Sequence, residues 1–465
     1  GGGGHFAVDL FDLFVRCRLS GALLGYISRV HFSICMAPKK SSAPVKPASK
    51  PGGKADGGRK PGSKAVDVPS THSSFGHAFA NLLKTIVGSA ILTLPWVTAQ
   101  VGYAISLPGL AVLAYLSQYA IRLVVTCAAS EKSRAYASLP GGARGWQSSG
   151  SWELISRAAF GGVGWALTAS SLYVYQIGVA ASYLIFISNG LVRLLGLSVL
   201  ESLAALWAGL SLCCMLKTLR GVALLSILGL VIYGYVFGLL GWFGWQAPEP
   251  APDAAPMLWN DDPAALGLWF GPAVFALQGM GTAMSIYESM GSTDPKPFLG
   301  VVHASYSAGL ALYCAVAYAG YAAWGSDVAK VVIHSFPSGP LALSAQLVLC
   351  AVLALTYPLQ LVPVFGWLES LLPAKRAGWW PALRLLVVTL TAVLGYLVPD
   401  MEKMVSLTGA VGGAMIGFVM PGAIFLRLQP PSSAWRCYEN SMALLVVATG
   451  LVGGAWALRS TLHSD

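Results

Sequence analysis

Charge is what this chain has least of. Only 10% of its 465 residues are Asp, Glu, Lys or Arg, against about 25% in an ordinary soluble domain, and that excludes a conventional soluble fold. Histidine is nearly as scarce, at seven residues, and only His303 approaches an apolar stretch. With no His-Asp or Cys/His constellation inside an apolar segment, a multi-pass membrane enzyme would have no catalytic set to work with. The eight cysteines show no spacing that would hold a metal. Five of them (Cys127, Cys213, Cys214, Cys314 and Cys350) sit in apolar stretches, where a free thiol behaves as a small hydrophobe. No cofactor motif is present.

Apolar sequence fills the space that charge leaves. The chain is 55% hydrophobic, with a mean hydropathy of +0.65, and runs of roughly 20 apolar residues recur along it, as membrane-crossing helices require. Eleven spans are expected, near 77–102, 104–127, 160–191, 200–217, 221–245, 265–291, 299–324, 341–370, 380–398, 403–428 and 438–459. The lipid bilayer is therefore the first partner that the sequence implies. The segment 152–160 is expected to form an interfacial helix before the third span.

Three regions follow. Residues 1–35 mix Phe and Leu with Asp9, Asp12, Arg16, Arg18 and Arg29, which suits neither a span nor a signal peptide. Because Met36-Ala-Pro-Lys-Lys reads like a start, they are expected to be upstream sequence outside the working protein, with a targeting extension as the rival. Residues 36–74 are expected to be a disordered basic cytoplasmic tail: eight of the 29 Lys and Arg lie between Lys39 and Lys64 among Pro, Gly, Ser and Ala. That charge suits membrane-surface attraction or topogenesis better than nucleic-acid binding. Residues 75–465 carry the spans. With the tail inside, Lys132, Arg134, Arg144, Arg157, Lys217, Arg220, Lys296, Lys375, Arg376, Arg427 and Arg436 fall on cytoplasmic connections, and only Arg193, Lys330 and Lys403 on the opposite ones.

Two spans are interrupted. In Asn81-Leu-Leu-Lys-Thr-Ile-Val-Gly-Ser-Ala-Ile-Leu-Thr-Leu-Pro-Trp96 the run Gly88-Ser89-Ala90 breaks the first, and Leu277-Gln278-Gly279-Met280-Gly281 breaks the sixth. A Gly cluster alone signals close helix packing. Two, five spans apart, fit a 5+5 inverted repeat with a midplane binding site, where unwound backbone faces a ligand rather than lipid. Backbone N–H groups around Ser89, Ala90 and Ile91 could take a carboxylate. Carbonyls near Thr85–Gly88 and Leu277–Gly279 could hold an ammonium. Thr356 and Gln360, around Pro358, could add polar contacts. Thr93, Tyr175, Gln176, Gln278, Met280 and Thr356 are the candidates for side-chain selectivity.

Few charges lie at depth, and each that does is a functional candidate. Lys84 shares a helical face with Asn81 and Gly88, and Glu288 shares one with Gly281 and Ser285. Arg122, Arg384 and Glu369 stand near span ends and are expected to snorkel.

These residues resemble the amino acid/auxin permease family. The likeness covers His77 to Arg459 and rests on Asn81–Pro95, Phe270–Met290, Leu355–Glu369 (Leu-Thr-Tyr-Pro-Leu-Gln … Trp-Leu-Glu) and Val398–Pro421 (Val-Pro-Asp … Ser-Leu-Thr-Gly-Ala … Pro). Leu-Leu-Lys before the first break is most similar to the proton-coupled or vacuolar amino acid transporters. The resemblance implies an all-α integral membrane protein of the leucine-transporter-like fold, with amino acids and protons as its partners. Lys84 lies near a position where sodium-coupled relatives use an asparagine around the cation, so sodium independence is expected. Two departures bear on coupling: Gln278 stands where proton-coupled relatives usually carry Glu, and Asn81 where some carry His. Glu288, linked to Lys84, or the His303 region would then carry the proton. A sensor built on the same fold, binding amino acids with little net flux, is the second reading.

Overall fold

The computed structural model describes residues 73–128, 151–215, 222–290, 294–370, 378–429 and 436–463. The expected upstream extension and nearly all of the expected tail, 1–72, lie outside the described residues, as do the basic connections around Lys132, Lys217 and Lys375.

Among the described residues every regular element is helical. Nine helices among these residues are long and apolar enough to cross a membrane, and Val199–Met215 is a shorter apolar helix of 17 residues. The broken first span brings the candidate crossings to the expected eleven. In chain order they are α1 (Phe75–Ile86) and α2 (Leu94–Val101), which share the first crossing, then α3 (Tyr103–Ala128), α4 (Ser151–Leu195), α5 (Val199–Met215) and α6 (Val222–Gln246). The sixth crossing is α7 (Pro263–Ala276) with α8 (Met280–Ser289). Next come α9 (Lys296–Trp324), α10 (Pro340–Ser370), α11 (Trp380–Leu397), α12 (Met401–Leu428) and α13 (Arg436–His463).

The breaks follow from local chemistry. Ser74 caps α1, its hydroxyl accepting from His77 N–H, and Ala78, Leu82 and Ile86 give α1 a buried stripe at the i, i+4 spacing. The chain leaves the helix at Val87 and Gly88, makes one 3₁₀ turn over Ser89–Leu92, and restarts at Leu94. Pro95 occupies the first turn of α2, where its missing N–H has no helical partner to lose. Thr93 holds the turn by donating its hydroxyl to Ala90 O at 2.8 Å. In the sixth span α7 ends at Ala276 and α8 begins at Met280, so Leu277–Gly279 is the non-helical stretch.

Two further irregularities set up the site. Gly161 has φ +65° and divides α4, so the segment before it is a helix set at an angle to the third span. Its Trp152, Leu154 and Ile155 are buried and Glu153 takes a hydrogen bond from Tyr173 at 2.6 Å; one face of this segment thus packs into protein. In α12, π-helical turns cover Gly409–Gly413 and Met415–Val419, a register change typical of functional regions. Here α7 and α12 touch backbone to backbone: a Cβ on Gly409 would lie 2.0 Å from Gly271 O.

The span-end charges find partners. Arg384 donates to Glu369 at 2.7 Å and to Cys214 O at 2.7 Å, with its guanidinium over Phe365 and Trp380. Arg122 lies 3.8 Å from Glu439 at an exposed position.

Candidate functional site: two chambers at the paired breaks

The two breaks face one another. Thr85, Ile86, Gly88 and Ala90 from the first span and Phe275, Ala276, Gln278, Gly281 and Thr282 from the sixth line a chamber of about 50 Å³, closed by Tyr175, Gln176 and Tyr183 of α4 and Gln360 of α10. This is room for a few waters or a small polar head group. A second chamber of about 440 Å³ adjoins it on the α1 side, with Thr85, Gly88, Tyr183, Thr282 and Gln360 common to both. Asn81, Lys84, Tyr233, Ser285, Ser289 and Thr356 complete its polar wall. Among the described residues Lys84 is the one charged side chain lining either chamber.

Tyrosine hydroxyls hold the carbonyls that the breaks release. Tyr175 donates to Phe275 O at 3.1 Å and Tyr306 to Leu277 O at 3.0 Å. The Tyr313 hydroxyl reaches both breaks at once, contacting Ile86 O of the first and Ala276 O of the sixth, the latter at 2.8 Å. Tyr306 and Tyr313 are fully buried on α9, two helical turns apart on one face. Buried carbonyls left without a donor would be expensive, so these hydroxyls fix the shape of the unwound segments.

The expected site residues separate into groups. Thr85, Gly88, Ala90 and Gln278 line the small chamber, and Asn81, Lys84 and Thr356 the large one. Ser89 and Ile91 are buried behind the first break; the Ser89 hydroxyl has no hydrogen-bond partner among the described residues. Gly279 packs beneath the Tyr306 hydroxyl, and Met280 is buried with its N–H on the Gln278 side chain at 3.0 Å. Thr356 turns its hydroxyl to Val352 O at 2.8 Å, and Thr93 is spent within its own turn. Glu288 is exposed and lines neither chamber, although Gly281 and Ser285 on its face do. His303 meets Gln118 at 2.6 Å at an exposed position. Residues that sequence reasoning missed are Tyr183, Tyr233, Thr282, Tyr306 and Tyr313; the spacing of Tyr306 and Tyr313 was the one available signal.

The opposite end of the first span is covered. Asn260 donates to Gln100 O at 2.6 Å, Met257 N–H reaches the Tyr321 hydroxyl at 2.8 Å, and Lys330 joins Glu402 and Asp400 beneath Trp96. Burial pulls the Lys330 ammonium down, but the Glu402 and Asp400 carboxylates outweigh it and hold its pKa above the usual 10.5. A group shifted upward contributes its stability below its unfolded value and loses it only on rising through the folded one. The lysine side of this latch therefore stays charged throughout the physiological range.

Two broken helices meeting at chambers inside an apolar bundle are an arrangement that membrane carriers use. The chain belongs to the transmembrane amino acid transporter protein family, whose profile matches residues 71–462. That family is one of transporters, not enzymes, and membership supports amino acid transport by an integral, multi-pass membrane protein. The chain is 26% identical over 430 residues to amino acid transporter AVT3C of Arabidopsis thaliana, covering 85% of this chain and 92% of that one. It is 27% identical over 320 residues to vacuolar amino acid transporter 3 of Saccharomyces cerevisiae, covering 63% of this chain and 45% of that one. Among solved structures, a Na⁺-coupled sialic acid symporter in a substrate-bound outward-open state aligns over 83% of this chain and 89% of its own, at 12% identity and a TM-score of 0.49.

Proposed function

We propose that this protein is a secondary active transporter that carries amino acids by alternating access, coupled to protons and independent of sodium. The observation that carries this reading is the meeting of both breaks at one chamber, with backbone of each in its wall. Backbone recognises the amino and carboxylate groups that all α-amino acids share. The small chamber is sized for that head group, while the larger, polar chamber receives the side chain on its way to or from the α1 side. A fixed ammonium at Lys84, beside the first break in the wall of the large chamber, would repel a bound sodium ion, which supports sodium independence. The covered Lys330 end and the larger chamber at the other end correspond to a state facing the α1 side, cytoplasmic by the distribution of Lys and Arg. The name of the yeast relative supports a vacuole-type membrane.

Coupling falls to Glu288, exposed on α8 on the face that also carries Gly281 and Ser285. Proteoliposomes with an imposed pH gradient test this. Uptake from a panel of radiolabelled amino acids is expected to follow the gradient and to persist when choline replaces sodium at constant pH. Glu288→Gln is expected to lower the gradient-driven uptake severalfold while leaving equilibrium binding intact. Loss of uptake in choline would remove the sodium-independent reading, and an unchanged pH response in Glu288→Gln would remove Glu288 from coupling.

A further inference from the structure

The side chain of Gln278 joins the sixth-span break to the tenth crossing, and its two ends are not interchangeable. Its Oε1 accepts the N–H of Met280, the first residue of α8, at 3.0 Å. Its Nε2 donates to the carbonyl of Gly413 on α12 at 2.9 Å, where the first π-helical turn ends. An N–H needs an acceptor and a carbonyl needs a donor, so the amide can sit only one way round. The site is shaped for it: Gln278 is 6% exposed, and a Cβ on Gly417 would come 2.7 Å from Nε2.

We propose that Gln278 is the positioning residue that pins the start of α8 to the tenth crossing, and that its amide makes this link at every pH. The inference rests on the reading of the breaks as an amino acid site and adds a structural condition for it. The link fixes Leu277–Gly279 between two anchors, the Tyr306 hydroxyl on one side and Gly413 on the other. It also assigns any proton dependence of transport to residues elsewhere.

The chemistry supplies a sharp test. A carboxyl group in this position satisfies Met280 and Gly413 together only while it holds a proton, because an ionised carboxylate has no hydrogen to donate. The ion would keep the Met280 N–H at the start of α8 but would face the Gly413 carbonyl with no hydrogen to give it. The neighbouring titratable groups are the hydroxyls of Tyr175 and Tyr183 from α4 and of Tyr306 and Tyr313 from α9, with Lys84 of α1 in the adjoining chamber. On α12 no residue from Ala410 to Met420 titrates, α7 carries no titratable side chain, and Glu288 of α8 is exposed away from the chambers.

The purified full chain, with Gln278→Glu and Gln278→Met beside it, would be followed by thermal unfolding from pH 5 to 8.5. Binding of an amino acid panel without any gradient would be measured in parallel. At pH 5 Gln278→Glu is expected to lie close to the native protein. Its carboxyl must stay protonated in the folded state, so its stability is present at low pH and lost as pH rises. Above the pH at which that carboxyl ionises, apparent affinity should fall about tenfold per pH unit, as one-proton linkage requires. Gln278→Met should be weakened at every pH, with no added slope. A Gln278→Glu profile parallel to the native one, or a Gln278→Met variant equal to it, would overturn the proposal. If no amino acid shifts the native protein, the amino acid reading fails, while the unfolding profiles still decide the role of Gln278.

Discussion

Replacing Tyr313 by Phe should weaken amino acid binding about thirtyfold, because one hydroxyl serves both breaks. Tyr313 is fully buried, and its oxygen contacts Ile86 O and Ala276 O, carbonyls that no helix claims. The substitution keeps the ring and removes the hydroxyl that lies between the ends of α1 and α7. A buried carbonyl that loses its donor costs about 1–3 kcal/mol. A net loss near 2 kcal/mol corresponds to about thirtyfold in affinity. In uptake assays the KM should rise by that factor while the amount of folded protein stays measurable. Tyr103→Phe is the matched control: its hydroxyl makes one long contact of 3.4 Å, to Tyr318 O, away from the chambers, and its KM should not move. An unchanged KM in Tyr313→Phe would mean that the two breaks do not depend on their shared clamp.

A larger effect, on folding rather than binding, is expected at Gly409. A Cβ there would lie 2.0 Å from Gly271 O and 3.0 Å from Phe275 N, both backbone atoms of α7. No rotamer change relieves such a clash. Helices α7 and α12 would have to separate, and with them the anchor that Gly413 offers to Gln278. Overpacking of this kind costs about 3 kcal/mol or more, and small residues at membrane helix contacts exist to permit this approach. Gly409→Ala should therefore lower the unfolding temperature sharply and leave little monodisperse protein after extraction. Gly209→Ala tests the specificity of the effect: on α5 nothing lies within 4 Å of the added carbon, so that variant should behave as the native protein does.

The parts of this site that the sequence disclosed are those written in one segment. Gly88-Ser89-Ala90 and Gln278–Gly281 announced their breaks because small residues interrupt runs otherwise apolar for a full crossing. The placement of Asn81, Lys84 and Thr85 followed from helical spacing over a few residues, and Lys84 does line the large chamber. Spacing carried Glu288 less far. Gly281, Ser285 and Glu288 share a face, but α8 ends at Ser289, and the last turn of that face stands outside both chambers. The tyrosine clamps were not legible. A tyrosine in an apolar helix is most simply a core aromatic, and the carbonyls that Tyr313 meets come from two other crossings. Gln278 stood out as an amide in place of a carboxylic acid, yet its partner Gly413 lies 135 residues further along the chain. Close helix packing around α12, not local pattern, brings them together.

Counterflow tests the central claim, that the paired breaks form one amino acid site exposed to each side in turn. Proteoliposomes would be loaded with an unlabelled amino acid mixture and diluted into trace labelled amino acid, in choline buffer with no ion gradient. Transient accumulation of label inside, saturable and strongly reduced in Tyr313→Phe, is the result expected of a carrier. Saturable binding of amino acids with no accumulation for any of them would contradict it and leave a sensor on a transporter scaffold.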